Sequence, residues 1–94
     1  MMMTLDSIPV PVPTVQGRQL EAEAVLVLPD KGEVKVLNAV GARIWALADG
    51  ARSVRDIAAA LCAEYPVTPA EAEADALAFV RELAAKGIVT VRSV

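Results

Sequence analysis

The run Leu37-Asn38-Ala39-Val40-Gly41-Ala42-Arg43-Ile44-Trp45 constrains this chain most, because the apolar period changes inside it. Before it, Glu33-Val34-Lys35-Val36-Leu37 alternates polar and apolar residues, the two-residue period of a half-buried strand. After it, Val40, Ile44 and Leu47 recur at helical spacing. Asn38 stands where a starting helix needs a side chain to accept from its first free amides. Strand must therefore become helix within one or two residues. The only Trp of the chain lies in the helix so started.

Upstream, Glu21-Ala22-Glu23-Ala24-Val25-Leu26-Val27-Leu28 begins by alternating and ends continuously apolar, which predicts a strand more buried at its far end. Pro29-Asp30-Lys31-Gly32 separates it from the Glu33–Leu37 strand and predicts a hairpin: Pro presets φ, Asp favours turns, and Gly accepts positive φ. Gln16-Gly17 reads as a turn. Further back, prolines stand at 9, 11 and 13 in Ile8-Pro9-Val10-Pro11-Val12-Pro13. Residues two apart send their amides to the same strand edge, so this spacing strips one edge of donors and leaves Val10 and Val12 to pair on the other. That predicts an edge strand over Val10–Val15; a polyproline-like extended arm is the alternative. Residues 1–9 are expected to be a flexible tail, and 10–94 a single domain.

Three helices are predicted downstream. The first runs from Asn38 to about Ala48 and is closed by Asp49-Gly50. Ser53 starts the second, with Asp56 as a shortened capping box; it buries Val54, Ile57, Ala58, Leu61 and Tyr65, and Pro66 stops it. Thr68, Pro69 and Glu71 start the third, which buries Ala72, Ala76, Phe79, Val80 and Leu83 and ends at Lys86-Gly87. Ile88-Val89-Thr90-Val91 reads as a short terminal strand. The second and third helices, joined at Tyr65-Pro66-Val67, form a helix-turn-helix pattern.

Composition narrows the function classes. Ninety-four residues give one small core, and 55% apolar content is too high for a disordered chain. No apolar run reaches the ~18 residues of a membrane span, and the N-terminus has no basic region followed by an apolar stretch. The single Cys62 permits no internal disulfide, so a reducing cytoplasm is expected. The chain has no His, which removes the commonest general base and metal ligand and leaves Cys62 without its usual partner. Cys62 is expected as a small buried hydrophobe. Glu71, Glu73 and Asp75, spaced by two, spread around a helix rather than converge on a metal. The five glycines show no phosphate-cradling spacing. Neither catalysis nor a cofactor is expected.

Charge argues against nucleic acid. The net charge is −3. A DNA-binding winged helix would insert its third helix into the major groove, but here that helix carries Glu71, Glu73, Asp75 and Glu82 against Arg81 and Lys86. A helix of that sign is repelled by phosphate.

Taken together, Leu37-Asn38, Gly41, Ile44-Trp45, Leu47 and Asp49-Gly50, then Ser53-Val54, Ile57 and Leu61, then Asp75-Ala76, Phe79-Val80, Leu83 and Gly87-Ile88-Val89 resemble the PqqD-like family. These are recognition elements for the precursors of ribosomally made, post-translationally modified peptides. The resemblance covers about Glu21 to Val91. The segments Leu37–Trp45 and Gly50-Ala51-Arg52-Ser53-Val54-Arg55-Asp56-Ile57 look most like the free-standing versions from lasso-peptide clusters.

The resemblance implies an α+β winged helix-turn-helix: a small three-stranded antiparallel sheet followed by three helices and a short terminal strand. It implies that the leader part of a precursor peptide adds a strand to the third strand and packs against the third helix. Carried over by position, the strand contributes Glu33, Val34, Lys35, Val36 and Leu37. The helix contributes Ala74, Asp75, Leu77, Ala78, Phe79, Arg81 and Glu82, with the flank that meets the leader left open. Val34-Lys35-Val36 stands where the family often has an aromatic pair, and Ala76 is smaller than the usual branched residue, which implies a shallower or wider groove. The implied partners are a leader peptidase and an ATP-dependent macrolactam-forming cyclase. The alternatives are the pyrroloquinoline-quinone version of the family, serving a radical enzyme, and a winged-helix DNA-binding regulator.

Overall fold

A computed structural model describes residues 3–92. Three strands form an antiparallel meander: β2 (Gln16–Leu20), β3 (Glu23–Leu28) and β4 (Glu33–Leu37), in that spatial order. Helices α1 (Ala39–Leu47), α2 (Val54–Glu64) and α3 (Pro69–Ala85) follow. A separate two-stranded sheet pairs β1 (Ile8–Pro11) with β5 (Val89–Arg92), antiparallel. The fold is therefore α+β, with the three-stranded sheet, three helices and terminal strand that the sequence implied.

Two features of the first thirty residues differ from the sequence expectation. Gln16-Gly17 is not a turn but the start of β2. Gly17 pairs with Leu26 and lies beneath the Trp45 indole, where a Cβ would stand 2.6 Å from Nε1. The glycine serves a close approach between strand and ring rather than a turn. The actual turn is Glu21-Ala22, with Glu21 at φ 50°, a conformation that residue type does not advertise. Second, the proline-rich strand does not join the hairpin. It spans Ile8–Pro11, and Val10 pairs with Thr90 while the Val12 amide donates to the Ile88 carbonyl at 3.0 Å. The prolines at 9 and 11 strip donors from the other edge, as their spacing required, but the strand that Val10 and Val12 face is the distant β5.

The part of the expected tail within the described residues is tied down. The Val54 and Arg55 amides at the start of α2 donate to the carbonyls of Ser7 (3.0 Å) and Leu5 (2.8 Å). Two of the orphan donors of that helix are thereby satisfied, and Met3 and Leu5 pack on the core.

The helix starts follow their local signals. Asn38 Oδ1 accepts from the Gly41 amide at 2.9 Å. Ser53 with Asp56, and Thr68 with Glu71, form reciprocal capping boxes, and Pro69 opens α3. The core gathers Ala24, Leu26 and Leu28 of β3 with Leu37, Ile44, Leu47, Val54, Ile57, Leu61, Ala76, Val80, Leu83 and Ile88. Val40, read from its period as core, is 39% exposed, and Gly41 and Ala42 are buried in its place. Phe79 and Tyr65 are half-buried at the core margin. Cys62 is half-buried on the flank of α2.

Gly17→Val should drive the Trp45 ring from its seat and cost about 1–3 kcal/mol, read as a lower urea midpoint. Arg43 holds Glu64 through a forked pair at 2.8 and 2.7 Å, and this keeps the Glu64 carboxyl below the usual range. A carboxylate depressed in the folded state stabilises above its unfolded pKa, and that contribution is lost as pH falls through the folded value. The difference in Tm between wild type and Arg43→Gln should thus be present at neutral pH and vanish in acid. Both partners are exposed, so added salt should also shrink it.

Candidate functional site

The three-stranded sheet ends at β4, whose outer edge has no strand beside it among the described residues. Which backbone groups face that edge follows from the turn on the other side of β3. The two-residue turn at Glu21-Ala22 is closed by the pair Leu20–Glu23, a hydrogen-bonded pair in such a hairpin. Glu23, Val25 and Val27 then bond toward β2, and Ala24, Leu26 and Leu28 toward β4. Their partners Leu37, Lys35 and Glu33 turn their backbone groups inward. The amides and carbonyls of Val34 and Val36 are left aimed at the open edge. Outside the pairing with β3, no backbone–backbone hydrogen bond involves residues 33–37 among the described residues.

Helix α3 passes this edge in the opposite direction. At the hairpin end, Lys31 Nζ donates to the Lys86 carbonyl at 2.6 Å. In the middle, Lys35 Nζ meets Glu82 Oε1 at 2.9 Å. At the far end, Asp75 and Phe79 meet the start of α1 around a cavity of about 310 Å³ shared with Asn38, Val40, Gly41 and Ile44. Phe79 forms its floor, seated so close to α1 that a Cβ on Gly41 would lie 3.1 Å from Cζ. Val40 and Asp75 also line an adjoining apolar cavity of about 170 Å³ that reaches Leu61, Tyr65, Pro66 and Val67 at the α2–α3 turn.

The cleft is thus polar at one end and apolar at the other. The hydrogen bond from Lys35, with its charge and a smaller contribution from Lys86, holds the Glu82 carboxyl below the usual range. Glu82 is therefore charged at neutral pH and braces the β4–α3 gap. The cleft offers backbone donors and acceptors along one wall, an ion pair across one end and an apolar floor at the other. Among the described residues no group of three or more His, Cys, Asp or Glu side chains is placed to hold a metal ion.

Of the residues named from the sequence, Glu33–Leu37 form one wall. At about 100° per residue, Asp75, Phe79 and Glu82 share the flank of α3 turned to β4, with Ala78 at its outer rim. Leu77 lies about 160° around the helix from Phe79 and packs on the core from the other side. Ala74 and Arg81 are exposed on the side away from β4. The structure does not bring these three to the cleft. Asn38, Val40, Gly41 and Ile44, which complete the apolar end, were not among the residues named. The sequence marked Asn38, Gly41 and Ile44 through the family resemblance, and Gly41 also as a small residue inside a helix, a frequent mark of close packing, but nothing in it placed them beside α3.

Comparison with known proteins places this geometry. Residues 23–89 match the family model described as coenzyme PQQ synthesis protein D (PqqD). Comparison with curated proteins gives no match. Among solved structures, TbiB1 in complex with the TbiA(beta) leader peptide is 34% identical, with TM-score 0.79 over 85% of this chain and 93% of that one. A lasso peptide synthetase B1 complexed with the leader peptide is 28% identical, with TM-score 0.77 over 90% and 98%. The PqqD truncation of Methylobacterium extorquens PqqCD, described as a stand-alone recognition element for ribosomally synthesised and post-translationally modified peptides, is 27% identical, with TM-score 0.78 over 95% of each chain. With more than half of its length matched by the family model, the chain belongs to the PqqD family.

Proposed function

We propose that this protein binds the leader segment of a ribosomally made precursor peptide as an added strand on β4, and presents it to maturation enzymes without performing chemistry itself. The observation that carries the reading is the open β4 edge facing α3 across a cleft floored by Phe79. It is supported by two relatives whose structures hold leader peptides. Strand addition gives sequence-tolerant affinity through the main chain and specificity through side-chain pockets. Each added backbone bond nets only ~0.5–1.5 kcal/mol, so the apolar end of the cleft must supply much of the affinity.

The lasso-type pathway is the reading we favour, because a lasso peptide synthetase B1 complexed with the leader peptide matches 90% of this chain with TM-score 0.77. The enzymes served would then be a leader peptidase and a macrolactam-forming cyclase. A radical enzyme would take their place in a quinone-cofactor pathway. A DNA-binding role has the charge of α3 against it.

Titration with a synthetic peptide covering the leader of a precursor encoded beside the gene should give saturable amide NMR shifts centred on residues 33–37, Asp75, Phe79 and Glu82. A folded protein with no shifts would refute the reading. Val36→Pro removes a donor aimed at the open edge and leaves the β3 pairing intact, so affinity should fall about tenfold or more by calorimetry. Gly41→Ala should shift the Phe79 ring and the Asn38 cap by a few tenths of an ångström, narrow the cavity by a methyl and weaken the same peptide, with little change in the shifts along β4.

A further inference from the structure

The face of the meander turned away from the helices is graded from polar to apolar. On β2 it carries Gln16 and Arg18, paired across to Val27 and Val25 of β3, which pair in turn with Val34 and Val36 of β4. Exposure rises in the same direction: Val25 is half-buried, Val27 is 37% exposed, and Val34 and Val36 are 62% and 64% exposed. The apolar surface therefore culminates at the strand with the open edge. The other exposed apolar side chain of the sheet, Leu20, sits at the β2–β3 turn opposite Glu23, apart from this strip.

Residues directly opposite each other on neighbouring strands project to the same face, with Cβ atoms about 4.5–5.5 Å apart. A peptide strand on β4 therefore sends alternate side chains in two directions. Half enter the cleft toward Phe79 and the Lys35–Glu82 pair, and half emerge beside Val34 and Val36. Resting on the leader-binding reading above, we propose that the outer face is a second specificity surface. On this proposal the leader carries branched or aromatic apolar side chains at the two positions, two residues apart, that stand opposite Val34 and Val36. The peptide is selected on both faces of the strand it adds, not only in the cleft.

A second copy of this chain is the competing occupant. Full-length antiparallel pairing of two β4 strands sets Glu33 opposite Leu37 and Lys35 opposite Lys35. Like charges directly opposite destabilise a pair. A single foreign strand has no such conflict, and its outward side chains close the exposed side of both valines.

The test uses the full chain with methyl-labelled valines and the synthetic leader peptide. Intermolecular Overhauser contacts should run from Val34 and Val36 methyls to two peptide side chains two residues apart. Val34→Ala with Val36→Ala should weaken the peptide about two- to twentyfold. Ala at the two contacting peptide positions should weaken wild type by a similar factor and the double variant little further. Shifts along the β4 backbone without these contacts, or unchanged affinity in the double variant, would overturn the proposal and leave leader binding standing. No saturable binding to wild type would remove both. A dimer abolished by the valine changes, with peptide affinity unaltered, would assign the face to a second copy and overturn the proposal.

Discussion

The junction at Leu37 and Asn38 sets the geometry on which the rest of the site depends. Leu37 is buried, so the end of β4 is anchored in the core. The next residue turns the chain into α1 by accepting from the Gly41 amide. Because the turn is so short, α1 starts at the end of the open edge, and Gly41 is brought against Phe79. One cap thus decides how far apart α1 and α3 stand, and with that the width of the apolar end of the cleft. A longer connection would separate the edge from its floor.

What was legible in the sequence was what is local. The three helix starts were correct because a cap and its partner lie within four residues: Asn38 with Gly41, Ser53 with Asp56, Thr68 with Glu71. The β3–β4 hairpin was likewise legible from Pro29–Gly32. Illegible features depended on distant partners. Gly17 looked like a turn because its reason, the Trp45 indole, lies in another element. The β1 strand showed which edge it would protect, but nothing nearby named β5 as its partner.

The candidate site divides in the same way. The alternation of Glu33–Leu37 marked the strand, and the resemblance marked α3. Which flank of α3 faced the strand depended on packing, so Asp75, Phe79 and Glu82 could not be separated from Ala74, Leu77 and Arg81 beforehand. Val40 had the period of a core residue, but the period gives direction and not depth. It points from the start of α1 toward the shared rim of the two cavities, where it stays 39% exposed.

The two sheets treat their edges differently. In β1 the prolines at 9 and 11 remove donors, whereas β4 keeps the donors of Val34 and Val36. The pairing of β1 with β5 has a further consequence. Ile8 stands opposite Arg92, so the last described residue lies beside the start of β1, in a sheet that shares no strand with the one carrying the open edge. A tether following Arg92 would emerge there, and β4 would keep the same geometry whether the domain worked alone or as one module of a larger machine.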